Sequence, residues 1–164
     1  MDIRLRNLEI KDAPKMLEWM HDEKVTQYLR LDGNNATMET VQNFIQRSYD
    51  DKKNLHWAIV DDKDVYLGTI SLKNVDYRRK EAELAIVLHC NSMGKGVATR
   101  AIKKVLDLAS RELKLKRVYL NVLQENKRAV KLYERLGFTY TYTTEIEFHK
   151  KTKMLDWYEY KNRG

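Results

Sequence analysis

Hydrophobic and polar positions repeat with two different periods along the chain. Alternation with a period of two is typical of strands, and apolar positions three or four residues apart are typical of helices. The first pattern, bounded by turn residues, predicts strands at residues 3–8, 56–60, 65–73, 81–88, 117–123, 138–144 and 153–160. The second pattern predicts helices that follow Asp12, Thr37, Gly94 and Asn126.

Residues with strong local preferences mark the ends of these elements. Asp12 is suited to cap a helix with Pro14 in its first turn, and Gly137 is suited to end the helix that starts at Asn126. Residues 32–35 are predicted to form a loop.

The connections between the strands predict the sheet. Residues 61–64 form a predicted hairpin turn, and Gly68 inside the next strand indicates a bulge. The helix between the strands at 82–88 and 117–123 implies that these two strands run parallel. The element order β-α-α-β-β-β-α-β-α-β-β therefore predicts a mixed α/β fold. No linker or repeat interrupts it, so residues 1–164 are predicted to form a single domain.

Composition narrows the class of protein. Hydrophobic residues make up 43% and charged residues 34%, which is ordinary for a globular domain. The longest aliphatic run, residues 84–88, is too short to span a membrane. Residues 1–6 lack the apolar stretch of a signal peptide, and Cys90 is the single cysteine, so a cytoplasmic protein is expected.

Charge suggests the kind of partner. The net charge of +7 suits an anionic ligand such as a nucleotide or a phosphate, although the basic residues are spread along the chain. No basic helix, zinc spacing or stacking motif points to nucleic acid. The histidines lack metal-ligand spacing, so no metal is expected.

Two glycines at a strand-to-helix junction form the most informative motif. Gly94 and Gly96 lie between the strand that ends at Leu88 and an amphipathic helix. Glycine lets the backbone come close to a bulky anion, and the first N–H groups of a helix favour its charge. Alone, this motif is also compatible with a bare turn.

A second motif lies about 30 residues further on. Asn126, Ala129 and Tyr133 stand at positions i, i+3 and i+7, which share one helical face. A polar end, a small middle and a phenol make a wall that an elongated ligand could follow. Together the two motifs are far more specific than either alone.

The chain resembles the GNAT superfamily of N-acetyltransferases, whose pattern is Gln/Arg-x-x-Gly-x-Gly/Ala followed by Asn-x-x-Ala-x-x-Leu-Tyr-x-x-x-Gly-Phe. This chain has Gly94 and Gly96 for the first part, with Asn91 where the pattern has Gln or Arg. For the second part it has Asn126, Ala129, Leu132, Tyr133, Gly137 and Phe138. The branch of ribosomal-protein N-terminal, spermidine and amino-sugar-nucleotide acetyltransferases is the most similar.

The resemblance implies an acyl-CoA N-acyltransferase fold, in which a mostly antiparallel sheet has one splayed parallel pair and flanking helices. It implies acetyl-CoA as cosubstrate, a primary amine as acceptor, direct transfer between them, and Tyr133 and Glu83 as catalytic acid and base. The pantetheine arm is expected to pair with the strand end, and backbone N–H groups of residues 93–98 to bind the pyrophosphate. The expected acetyl-CoA-binding residues are Val87, Leu88, His89, Met93, Gly94, Lys95, Gly96, Val97, Ala98, Thr99, Arg100, Asn126, Ala129 and Tyr133.

Each catalytic candidate also has a structural interpretation. Tyr133 could be a packed aromatic, Glu83 a carboxylate that faces solvent, and Asn126 a helix cap. His89 could relay a proton, but a surface position is the simpler expectation. Cys90 has no evident base beside it, which favours direct transfer over an acetyl-cysteine intermediate.

The acceptor is expected to enter from the side opposite acetyl-CoA, walled by the helices within residues 12–51. The positive charge favours an amino sugar nucleotide, a protein N-terminus is the second candidate, and polyamines are third because no acidic cluster is evident. A non-catalytic acetyl-CoA-binding module is the alternative class. An edge strand near the C-terminus could pair two chains into a homodimer.

Overall fold

One twisted sheet organises the residues that the computed structural model describes, 2–29 and 33–162. Within them, seven strands are ordered β1-β2-β3-β4-β5-β7-β6 across the sheet. Only β4 and β5 run parallel among these described strands, as the crossover helix predicted. The strands are β1 (Ile3–Asn7), β2 (Leu55–Asp61), β3 (Tyr66–Asp76), β4 (Glu81–Leu88), β5 (Arg117–Leu123), β6 (Thr139–Phe148) and β7 (Lys151–Lys161).

Helices connect these strands and cover both faces of the sheet. Between β1 and β2 lie three of them, between β4 and β5 another, and between β5 and β6 the last of those described. They are α1 (Ala13–Met20), α2 (Glu23–Thr26), α3 (Met38–Ser48), α4 (Val97–Arg111) and α5 (Lys127–Arg135). The predicted mixed α/β fold is confirmed. Strand β6 is an edge of the sheet, and pairing of two chains there remains a prediction.

The predicted capping role of Asp12 is wrong. Asp12 precedes α1, but its carboxylate makes no cap bond and instead accepts two hydrogen bonds of 2.8 Å from the guanidinium of Arg6. The carboxylate also accepts a hydrogen bond of 2.8 Å from the backbone N–H of Glu9. A buried carboxylate needs charged or N–H partners, and Arg6 supplies a bidentate one.

Two further details differ from the sequence prediction. Helix α2 has only four residues, too few to show a helical period, and is capped by Asp22, which accepts from the N–H of Lys24 at 3.0 Å. Part of the predicted loop at 32–35 is a 3-10 helix at Gly33–Asn35. Asp32, which belonged to that loop prediction, lies outside the described residues.

Two clusters of buried side chains lie on opposite faces of the sheet, because successive strand residues point to opposite sides. One cluster joins Leu84 of β4 to α4, where Ile102 and Val105 are fully buried. The other joins Val87 of β4 to Met16 of α1 and to α3. Strand β4 is therefore sandwiched between α4 and the N-terminal helices.

The predicted irregularity at Gly68 is confirmed. Ile59 pairs with Gly68, but Val60 pairs with Tyr66, so Leu67 is an extra residue on β3. A Cβ on Gly68 would lie 2.4 Å from the carbonyl oxygen of Val87. Glycine is required here because β4 passes too close for a side chain.

The parallel pair β4–β5 is short. Its register runs from Glu81 opposite Arg117 to Glu83 opposite Tyr119 and then stops, although both strands continue. The strands therefore diverge beyond Glu83 and Tyr119, and a gap opens in the middle of the sheet.

Candidate active site

A cavity of about 570 Å³ fills the gap between the diverging ends of β4 and β5. Residues of the five strands β3 to β7 surround it, together with residues 28–29, Asn126 just before α5 and Tyr133 within α5. Its lining residues include Thr69, Ser71, Lys73, Glu83, Ala85, Val87, Asn121, Leu123, Asn126 and Tyr133. The cavity therefore joins several residues that are far apart in sequence.

Glu83 lies at the inner end of this cavity, and its side chain is 16% exposed. Its carboxylate oxygens already have neighbours: Nζ of Lys73 at 3.7 Å, and the side-chain amides of Asn121 at 3.4 Å and Asn74 at 3.5 Å. Glu83 is thus a cavity carboxylate held in place by a cation and two amide donors.

Strand β3 contributes a polar wall that the sequence analysis did not single out. Thr69, Ser71 and Lys73 alternate along the strand and line the cavity beside Glu83. Thr69 and Ser71 are both buried. Polar residues at every second position of an otherwise apolar strand were the signal that could have identified this wall.

Tyr133 reaches the same cavity from α5. Its ring packs edge-to-face against Phe138, with ring centroids 5.9 Å apart. No hydrogen bond to its hydroxyl exists among the described residues, and burial raises the pKa of the phenol to about 12. Tyr133 therefore combines a packed ring with a protonated hydroxyl in the cavity wall.

Asn126 is placed both to cap α5 and to contact a ligand in the cavity. Its Oδ1 accepts from the N–H of Ala129 at 3.4 Å and so caps α5, while the residue also lines the cavity. The cap is confirmed by this bond.

The glycine turn has the geometry of an anion site. Gly94 and Gly96 have φ angles of +76° and +77°, in the left-handed region that favours glycine. Among the described residues, the N–H groups from Gly94 to Thr99 donate to no backbone carbonyl. A series of free N–H groups at the start of a 15-residue helix suits an anionic ligand.

The expected N–H of Met93 is not part of this series, because it donates to the carbonyl of Cys90 at 3.3 Å. A cation that the sequence analysis missed lies beside the turn instead. A Cβ added to Gly94 would be 3.3 Å from Nη2 of Arg128, at the start of α5. Lys95 and Arg100 also lie at the turn, and the guanidinium of Arg100 donates to the carbonyl of Lys95 at 3.2 Å.

The residues of β4 whose backbone groups face the gap are not the expected Val87, Leu88 and His89. His89 donates its N–H to Leu67 of β3 at 2.9 Å, and its carbonyl accepts from Ser92 at 2.8 Å. Alternate residues of a strand direct their N–H and C=O groups to opposite neighbours. Val87 therefore faces β3 as His89 does, and Leu88 and Ile86 face the gap.

The side chain of His89 is buried, so the expected surface position is wrong. Its Nδ1 accepts from the N–H of Asn91 at 3.2 Å, which leaves Nε2 to donate to Glu18 of α1 at 2.6 Å. This bond ties the start of the glycine turn to the opposite face of the sheet. Asn91 itself lies in the 3-10 segment Cys90–Ser92.

Within residues 2–29 and 33–162, no group of His, Cys, Asp and Glu residues could hold a metal ion. No helix there is long and apolar enough to cross a membrane.

A family model described as "Acetyltransferase (GNAT) domain" matches residues 2–139. The chain belongs to the GNAT acetyltransferase family. It is an N-acetyltransferase, and acetyl-CoA is the acetyl donor of this family.

Curated relatives agree with the family, and a solved structure shares the fold. The chain is 29% identical to a spermidine N(1)-acetyltransferase of Escherichia coli strain K12, over 84% of this chain and 73% of that protein. It is also 29% identical to the putative ribosomal N-acetyltransferase YdaF of Bacillus subtilis, over 83% and 77% of the two chains. A crystal structure of Vibrio cholerae spermidine N-acetyltransferase with CoA and spermine has the same fold, with a TM-score of 0.89, 23% identity and coverage of 97% and 95%.

The residues of this GNAT chain fit acetyl-CoA. The N–H groups of residues 94–99, which donate to no backbone carbonyl among the described residues, and the adjoining Arg128 could hold the pyrophosphate of acetyl-CoA. The gap that follows exposes strand edge at Ile86 and Leu88, as the amides of a pantetheine arm require. Glu83 and Tyr133 line the cavity in this gap.

Proposed function

We propose that this GNAT acetyltransferase transfers acetyl directly from acetyl-CoA to the primary amine of a small polar acceptor, with an amino sugar nucleotide as the first candidate. The observation that carries the proposal is that Glu83 and Tyr133 line one cavity, at the point where β4 and β5 diverge. In the reaction the amine nitrogen bonds to the thioester carbon, the C–S bond breaks, the nitrogen loses a proton and the sulfur gains one.

Binding of the acetyl donor is proposed to rest mainly on backbone groups. The N–H groups from Gly94 to Thr99 bind the pyrophosphate, with charge support from Lys95, Arg100 and Arg128. Pantetheine follows the open edge of β4 at Ile86 and Leu88, and passes Asn126 and Ala129 on α5. Positioning of the two reactants supplies most of the catalysis.

Tyr133 is proposed to protonate the leaving sulfur. A thiol has a pKa near ~8.5, so donation from a phenol of pKa about 12 is uphill by roughly 5 kcal/mol. An ordinary tyrosine would face only about 2 kcal/mol. The proton therefore moves late, when negative charge has built up on the sulfur, and until then Tyr133 acts as a hydrogen-bond donor.

Glu83 is proposed to receive the acceptor amine. An alkyl amine is mostly an ammonium ion at pH 7, and removal of its proton costs roughly 4–5 kcal/mol. A cavity carboxylate attracts the ammonium ion and orients its nitrogen toward the thioester. The acceptor enters from the side of α1 to α3, opposite α4.

The charge of the lining favours the acceptor class. Glu83 is the one acid and Lys73 the one strong base among the described lining residues, and most other polar groups are hydroxyls and amides. This balance suits a hydroxylated amine with an anionic part better than a polycation. A polyamine is the second candidate because relatives are named spermidine acetyltransferases, and a protein N-terminus is the third.

The test is release of CoA thiol in the presence of a panel of amines: amino sugar nucleotides, spermidine and short peptides with free N-termini. The proposal expects turnover with an amino sugar nucleotide and strong loss of it in Tyr133→Phe. Turnover with spermidine alone would replace the acceptor class. Tight acetyl-CoA binding with no turnover on any amine would favour a binding module and contradict the proposal.

A further inference from the structure

Thr69 and Ser71, two residues of the polar wall on β3, differ in the hydrogen-bond partner of their hydroxyl groups. Thr69 Oγ1 lies 2.6 Å from the hydroxyl of Tyr66, and Ser71 Oγ lies 2.6 Å from Nδ1 of His56 on β2. Thr69 and Ser71 both line the cavity, so both are candidates to touch an acceptor. The partners decide whether a proton can pass beyond the hydroxyl.

Tyr66 cannot accept a proton from Thr69. Its phenol is neutral, receives a hydrogen bond from the indole N–H of Trp19 at 3.1 Å, and has a raised pKa because it is buried. A neutral phenol is a poor base in any environment. A proton therefore cannot pass beyond the hydroxyl of Thr69.

His56 is a base by contrast. Burial lowers the pKa of its imidazole below the ordinary 6.5, so the ring is neutral at pH 7. In the tautomer with its proton on Nε2, Nδ1 accepts a hydrogen bond from Ser71 Oγ–H. The lone pair of this nitrogen is thus aimed at a hydroxyl that faces the cavity.

We infer that Ser71 and His56 form the proton relay that deprotonates the acceptor ammonium. This inference rests on the proposed function. The ammonium gives a proton to Ser71 Oγ while the hydroxyl proton of Ser71 passes to His56 Nδ1. The imidazolium then loses its Nε2 proton to solvent, which leaves a neutral amine, an intact serine and a neutral histidine with its proton on Nδ1. Proton exchange with solvent returns His56 to the Nε2 tautomer before the next turnover.

The placement of Ser71 suits this step. Ser71 pairs with Ala85 of β4, and Lys73, two residues along β3, pairs with Glu83. Ser71 and Glu83 are on the same face of the sheet, and two residues span roughly 7 Å along a strand, so an amine placed between the two side chains can contact both. Glu83 then binds and orients the amine, and the serine takes its proton.

The surroundings of His56 allow it to charge briefly. Asp51, just before β2, favours the imidazolium, and Lys73 on β3 opposes it. From α3, the ring of Phe44 meets the imidazole edge-to-face at 4.8 Å and carries no charge. His56 is half-buried, which leaves a path for the proton to solvent.

The experiment compares the pH profiles of kcat/KM for wild type, His56→Gln and Ser71→Ala, with the best acceptor found for the wild type. The relay predicts that wild-type kcat/KM rises with pH as His56 loses its proton. His56→Gln, which retains an amide for Ser71, should lose about 100-fold in kcat and lose this rise. Ser71→Ala should do the same, and it decides the matter if His56→Gln does not fold.

Thr69→Val is the matched control, because it removes the other wall hydroxyl, and it should keep the rise. Glu83→Gln should keep the rise and increase the acceptor KM. An unchanged profile in both His56→Gln and Ser71→Ala, with a rate within threefold of wild type, would overturn the relay alone. Absence of wild-type turnover on every amine would instead remove the proposed function and the relay with it.

Discussion

Glu83 and Tyr119 are the last two residues to pair across the parallel strands β4 and β5. Because both strands continue beyond this pair without each other, their free edges and side chains enclose the cavity. The register of one short ladder thus sets where the acetyl donor and the acceptor would meet. It also places Glu83, which is in register with Lys73 on its other side, at the inner end of that cavity.

Removal of the Tyr133 hydroxyl should affect chemistry and leave binding intact. Tyr133→Phe keeps the ring that packs on Phe138 but removes the proposed proton donor. We expect kcat to fall by about 100-fold, at the low end for general acid catalysis, with an unchanged KM for acetyl-CoA. Tyr160→Phe, next to the same aromatic cluster, should leave both constants unchanged. A raised KM with normal kcat in Tyr133→Phe would contradict the assignment.

The glycine turn allows function to be separated from stability. Gly96→Ala forces a side chain into a φ of +77° and should cost about 1–2 kcal/mol of unfolding free energy. It should also raise the KM for acetyl-CoA, because the turn is proposed to present N–H groups to the pyrophosphate. Gly137→Ala, at a φ of +97° behind α5, is the control and should lose similar stability without a change in KM. Equal KM values in the two variants would argue against pyrophosphate binding at this turn.

Two substitutions of Asn126 separate its role as the cap of α5 from a role in binding the acetyl donor. Asn126→Ala removes the cap of α5 and should cost about 1 kcal/mol of unfolding free energy. Asn126→Ser should restore most of that stability, since serine caps well. If the amide also contacts the donor, both variants should raise the KM for acetyl-CoA. Thermal unfolding together with measurement of the KM for acetyl-CoA distinguishes the two roles. A wild-type KM in Asn126→Ser would show that Asn126 acts only as a helix cap.

The sequence predicted those features that local pattern controls. Strand and helix positions followed from hydrophobic periods, and the parallel pair followed from the crossover helix. Gly94, Gly96 and Asn126 were identifiable because a positive φ or a helix cap restricts the residue type. Those restrictions act within a few residues of the chain.

Other features depend on contacts between distant residues and were missed. The carboxylate of Asp12 does not cap α1, because it accepts two hydrogen bonds from the guanidinium of Arg6 on β1. His89 was expected at the surface and is buried, because Glu18 of α1 accepts its N–H. The link between Ser71 and His56 joins neighbouring strands, and only the β2–β3 register reveals it.

The stability of the protein should depend on pH through His56. Burial lowers the pKa of His56 in the folded state, so the unfolded chain binds this proton more readily. The free energy of unfolding should therefore decrease as pH falls from about 6.5 toward the folded pKa. His56→Gln should flatten this part of the curve, measured from urea denaturation between pH 7.5 and pH 5. The same slope in the variant as in wild type would show that His56 is not the group responsible.

The most direct test of acetyl transfer at this cavity is the initial rate of CoA thiol release from acetyl-CoA with an amino sugar nucleotide as acceptor, measured for wild type and Tyr133→Phe. We predict turnover by the wild type, and in Tyr133→Phe a rate about 100-fold lower at saturating acetyl-CoA. Equal rates in the two proteins, or acetyl-CoA binding without turnover on any amine of the panel, would contradict the account.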